Sequence, residues 1–159
     1  MSLAQQAVAE LSSAQEYFNR STRNLSEAHS SALPAEGMMT AAQQVAHAAQ
    51  TVEWFMEGAF RPEGFNLDFE ALAKAIQACT SLAAARDWFE RAMAAAKQRV
   101  ATLTDAELLA PLPEGPIMGG VPRMAIFGAI TDHTAHHRGA LTVYARLQGL
   151  VPPMPYGDM

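Results

Sequence analysis

The chain has 159 residues, 50% of them hydrophobic and only 17% charged, against roughly 25% charged in an ordinary globular protein. That length suits a single domain spanning residues 1–159. A net charge of -5 and a pI near 5.5 leave no basic footprint for nucleic acid, and no apolar run approaches the roughly 20 residues that cross a bilayer. In chain order, Val8, Leu11, Phe18 and Leu25 recur at helical spacing and predict a first amphipathic helix from Leu3 to about Ala28, broken by Pro34 and Gly37. A second helix is expected from Thr40 to Gly58, with Gly58 and Pro62 as the stop. A helical segment begins near Asp68, and Leu82, Ala85, Phe89, Met93, Ala96 and Val100 form one stripe between Ser81 and Leu103, with Thr80 and Ser81 kinking or dividing the two. Thr104 and Glu107 fit a capping box that announces a short helix stopped by Pro111. The Pro/Gly-rich loop from Pro111 to Val121 has the length of a small hairpin. Pro122 then suits the first turn of a last long helix that runs through Leu147 to the stop at Gly149.

Four long helical stretches without a convincing strand predict an all-α four-helix bundle, because each apolar stripe can be buried only against neighbouring helices. Cys79 is the lone cysteine and has no disulfide partner within the chain. The amino-terminal residues lack the basic start and unbroken apolar run of a signal peptide, so a cytoplasmic location is expected.

The chemical signal lies on the last helix, in the run Asp132-His133-Thr134-Ala135-His136-His137-Arg138-Gly139. Imidazoles four residues apart fall within about 40° of each other on a helical wheel, close enough to share one ion. His133 and His137 have that spacing, on the stripe that also carries Ile126, Ile130, Leu141 and Tyr144; His136 lies about 100° from His137, a flanking position. A two-histidine site needs further ligands, and His47 is the remaining histidine set within a sustained helical pattern. Its face holds Thr40, Gln43, Thr51 and Trp54, with Val45, Val52 and Met56 pointing the opposite way. His29 falls near the end of the first helix, where a protonated ring would meet the helix dipole favourably. Three neutral histidines leave coordination positions open, as in catalytic sites. Histidines at helical spacing also occur as ordinary core residues, and that alternative stands on the local pattern alone.

The segment from His133 to Gly157, HTAHHRGALTVYARLQGLVPPMPYG, resembles the carboxy-terminal signature of the DinB family. The shared parts are an H-x-x-H-H-R-G element, a helix with Tyr144 and Arg146, the stop at Gly149, and a proline-rich tail with Pro153 and Tyr156-Gly157. The stretch QVAHAAQTVEWFMEG from Gln44 to Gly58 is similar to the family's first metal helix, in which a histidine precedes an aromatic residue two turns later. The resemblance covers nearly the whole chain. It implies a DinB/YfiT-like four-helix bundle, often a homodimer, with one divalent metal ion held by His47, His133 and His137. Zinc or nickel suits that ligand set best, with iron, manganese or cobalt as further candidates. Ala140 departs from the pattern, since many relatives carry glutamine there.

Two functions follow. The first is a metal-dependent enzyme that activates a thiol or water, a thiol S-transferase or a hydrolase, acting on a small-molecule substrate or a low-molecular-weight thiol. The second is a non-catalytic metal or small-molecule binding protein of a stress response. Arg138 and His136 are weak candidates for catalytic residues, an arginine on a helix flank being more often solvated or paired. Trp54 and Tyr144 line a pocket or pack in the core, and Gln43 and Thr51 could orient a ligand. Cys79 is expected to be a small buried side chain, Met38 and Met39 to pack, and Glu53, Glu57, Asp68 and Glu70 to form solvated faces. Gly119-Gly120 lacks the lysine of a phosphate loop, and the glutamate of an H-E-x-x-H peptidase is missing after His133.

Overall fold

The computed structural model describes residues 1–157. Six α-helices form: α1 (Leu3–Thr22), α2 (Ala41–Phe60), α3 (Phe69–Gln77), α4 (Leu82–Ala101), α5 (Asp105–Leu109) and α6 (Ala125–Leu147), with a 3₁₀ turn at Glu27–His29. The described residues form no β-strand. Helices α1, α6, α2 and α4 close a ring in which each packs on the next, leaving α1 and α2 on one diagonal and α4 and α6 on the other. The expected four-helix bundle is thus what forms, with α3 laid against α2 and α5 against α1.

Composition explains why α2 sits innermost. Fourteen of its twenty residues are buried, and alanines at 41, 42, 46, 48, 49 and 59, all fully enclosed, let neighbouring backbones approach without displacing large side chains. Leu11, Phe18, Val45, Phe89, Met93, Ile126, Phe127, Ile130 and Leu141 fill the space between helices. Val45, Val52 and Met56 are buried in this core, as the second helix's apolar side requires.

Several helix ends differ from the sequence reading. Helix α1 stops at Thr22, six residues before Ala28. There the Thr22 hydroxyl turns back to the Phe18 carbonyl, and the Arg86 guanidinium on α4 donates to the Thr22 and Leu25 carbonyls at 2.6 and 3.2 Å. A long-range cation therefore satisfies the free carbonyls that a local pattern would have extended into more helix. Gly58 is no stop: α2 continues to Phe60. The Phe65 ring occupies the space that a Cβ at residue 58 would take, so glycine is required for close packing. Pro122 precedes α6, which begins at Ala125 after a turn closed by the Ala125 N–H on the Pro122 carbonyl. The Pro111–Val121 loop does turn back on itself. It pairs through a single bridge, Pro111 with Pro122, flanked by the Leu112 N–H on the Val121 carbonyl at 2.8 Å.

Asp68 and Ser81 cap α3 and α4 with their side chains, and residues 78–81 divide the two helices. Thr104 and Glu107 form the expected capping box on α5. No helix among the described residues is long and apolar enough to cross a membrane.

Candidate metal centre

The bundle's packing brings α2 and α6 side by side, and with them the three histidines chosen from sequence. One nitrogen from each of His47, His133 and His137 lies within 4.8 Å of the others. Ring centroids stand 5.0 Å apart for His47 and His133, 4.8 Å for His47 and His137, and 4.4 Å for His133 and His137. The Nε2 atoms of His133 and His137 are separated by 3.2 Å. Tetrahedral ligands at about 2.0–2.1 Å from a zinc ion stand about 3.3 Å from one another, so this pair already has the spacing of two ligands to one ion.

A buried chain of hydrogen bonds fixes the state of His137. The Tyr144 hydroxyl donates to the Met39 carbonyl at 2.7 Å and so receives, rather than gives, the proton in its 3.3 Å contact with the Gln44 amide nitrogen. That orients the Gln44 carbonyl oxygen at His137 Nδ1, 2.5 Å away. A carbonyl can only accept, so Nδ1 carries the proton and Nε2 presents its lone pair to the other imidazoles. Metal-binding histidines are held in this way by a partner on the far nitrogen. His47 supplies a second test of fit: its Nδ1 is buried with no hydrogen-bond partner, an arrangement that is costly without a compensating contact. The donor set, the orphaned nitrogen and the fixed tautomer all suit a divalent cation.

Electrostatics agree with neutral rings. Burial, reinforced by the neighbouring imidazoles, holds His137 down at about 3 and His133 at about 4, the nearby Asp132 carboxylate only partly opposing the latter. His47 is lowered by burial and by His136. Rings that stay unprotonated well below neutral pH are rings with free lone pairs. Proton competition for the site therefore sets in further down the pH scale than an unperturbed imidazole near 6.5 would give.

Other expectations meet mixed outcomes. His136 is exposed, its ring edge-on to His137 at 4.9 Å. Arg138 faces away from the cluster, toward a cleft between α1 and α6 where it lies 5.8 Å above the Tyr17 ring. Gln43 serves as the reciprocal partner of Thr40 in the α2 capping box and donates to the Gln77 carbonyl; its neighbour Gln44 is the glutamine that reaches a histidine. Thr51 and Trp54 do line a cavity with His47 and His133, and the Trp54 indole N–H donates to the Asn66 carbonyl at 2.8 Å. Tyr144 is core, 2% exposed, yet acts on the site through Gln44. Met39 lines the cavity, whereas Met38 is exposed. Cys79 is half-buried rather than enclosed, its thiol directed at the Ser81 carbonyl. His29 does not end α1: its Nδ1 accepts from the Ser26 N–H at 3.0 Å in the following turn. Glu53, Glu57, Asp68 and Glu70 are exposed as expected.

An all-helical bundle whose buried wall gathers three neutral imidazoles defines a class of helical protein compatible with metal binding. The chain belongs to the DinB superfamily, whose family model matches residues 10–141. Among solved structures it is similar to a DinB-like protein from Bacillus subtilis, at 24% identity, covering 97% of this chain and 99% of that one with a TM-score of 0.67. It is also similar to a DinB-like protein from Bacillus cereus, at 22% identity over 95% and 93% of the two chains with a TM-score of 0.66. At such identities the likeness speaks for the fold. No curated protein matches the chain.

Proposed function

We propose that His47, His133 and His137 hold one divalent ion, zinc or nickel before iron, manganese or cobalt, and that the protein is a metal-dependent enzyme of the hydrolase or thiol S-transferase kind. The observation that carries this reading is the convergence of three neutral imidazoles, one tautomer fixed by Gln44, beside an open cavity. When bound, an ion with open positions lowers the pKa of a coordinated water or thiol and polarises a nearby carbonyl. The chain's own part is to hold three lone pairs convergent, to keep them unprotonated, and to wall the adjoining cavity with Trp54 and Phe55. The same reading takes the protein as a cytoplasmic homodimer, on the strength of the family resemblance and the absence of a disulfide pair.

A second reading, a non-catalytic metal or small-molecule binder, is favoured by one observation: among the described residues, no carboxylate lines the cavity to serve as general base. The two separate in a turnover assay on the metal-loaded protein, using aryl ester panels and electrophiles with cellular thiols. Turnover that disappears in His137→Ala supports the enzyme. Inertness toward every substrate with the metal in place supports the binder.

A further inference from the structure

The cavity beside the three imidazoles has a volume of about 320 Å³, at the small end of the roughly 300–1,000 Å³ usual for ligand sites. Trp54 and Phe55 from α2 and Phe69, Leu72 and Ile76 from α3 form most of its wall, with His47 and His133 at one side. Among the described residues, no Lys, Arg, Asp or Glu lines it. The remaining polar wall groups, Gln50 and Thr51, are neutral, and both side chains are buried, 8% and 7% exposed. At the rim stands Phe69, 56% exposed, its ring 6.2 Å from that of Trp54.

A charged ligand brought into such a wall would give up its hydration and find no countercharge, which disfavours it strongly. An apolar ring would instead gain by displacing water from aromatic and aliphatic surface. The guanidinium of Arg138, on the same helix as His133, opens onto a separate cleft against α1. We propose that this cavity takes an uncharged, largely apolar molecule of one or two rings, its polar end directed at His47 and His133 and its body against Trp54 and Phe69. The proposal rests on the metal reading only for what the polar end meets. It also sharpens that reading: a peptide-like thiol with its carboxylates does not fit this wall, so the molecule bound here is the neutral electrophile or ester rather than the thiol.

Calorimetric titration of the protein as purified, with its metal content measured on the same sample, tests the proposal. The probes are naphthol, neutral at pH 7, and naphthalenesulfonate, an anion of similar shape that ligates metals poorly. Naphthol is expected to bind at one per chain and about tenfold or more tighter than the sulfonate. Ala73→Trp, which fills the cavity from α3, should weaken naphthol about tenfold, and Phe69→Ala, a change at an exposed rim position that leaves folding intact, by severalfold, both with metal content unchanged. Equal or tighter binding of the sulfonate, no naphthol binding at millimolar concentration, or affinity indifferent to both variants would overturn it. Naphthol binding to protein that refuses metal would defeat the proposed function and leave the cavity assignment standing; metal binding without naphthol would do the reverse.

Discussion

Helix α6 borders two cavities that differ in nearly everything except the helix they share. Toward α2 it presents His133, with the buried His137 one turn behind it in the imidazole cluster, to a wall whose described residues carry no formal charge. Toward α1 it presents Thr131, Thr134 and Arg138 to a cleft that also holds Glu10, Tyr17 and Tyr156. The second is a place where charges and hydroxyls meet each other: Thr131 donates to Glu10 at 3.0 Å, and Tyr156 of the tail stands edge-on to Tyr17 at 5.1 Å. The first is a place where polar groups are stripped of water and of countercharge, which is why its imidazoles are held neutral. Successive residues of one helix, His137 and Arg138, therefore belong to different chemistry, and sequence adjacency to a candidate ligand says little about membership in its site.

The contrast can be broken most forcefully at its centre. His137→Ala should reduce metal affinity on the order of a hundredfold or more, given that about 10–16 kcal/mol of structural zinc binding is shared among four ligands. Arg138→Ala should leave affinity within about twofold, since its half-buried side chain opens onto the cleft against α1 and not onto the imidazoles. Competition against a chromophoric chelator reads both, and equal losses would erase the distinction between the two faces. Next in size, Gln44→Leu removes the acceptor on His137 Nδ1 and the donor to Tyr144. We expect metal affinity to fall about 10–100-fold, as for other partners of metal-bound histidines. Urea unfolding of the metal-free protein should also lose about 1–3 kcal/mol from buried groups left unpaired. A variant with unchanged affinity would show that the tautomer is set by something else.

A third comparison is in pH. In the metal-free protein the folded imidazoles sit near 4 for His133 and near 3 for His137, below the unfolded value of about 6.5. Between those limits the unfolded chain binds more protons, so stability rises with pH there. This contribution is fully present above about 6.5 and is lost as pH falls through that value toward 4 and then 3. Denaturant midpoints across that window should decline on acidification in the parent and less steeply in His137→Ala. A midpoint that is flat or improves on acidification would contradict the neutral assignment.

The metal candidates were readable because helical geometry converts spacing into direction: His133 and His137 on one face, and a single histidine on the only other suitable helix. Gln44 escaped notice because a glutamine in a helix reads as a solvated residue, and its partners lie 93 and 100 residues away. Its neighbour Gln43 attracted attention instead, although Thr40-Ala-Ala-Gln43 is the capping-box spacing and could have been recognised as such. Helix ends differ where tertiary contacts decide them: Arg86 terminates α1 from the neighbouring helix α4, and Phe65 turns Gly58 from a stop into a packing site. The charge segregation along α6 was invisible for the same reason, since it depends on which neighbour each face meets.

Titration of the purified, metal-stripped protein with cobalt(II), followed by its visible absorption, tests the three-imidazole centre most directly. We predict saturation at one ion per chain, with the tetrahedral band lost when His47, His133 or His137 is singly replaced by alanine. A protein that takes up no cobalt, or one whose binding survives His47→Ala unchanged, would contradict the account.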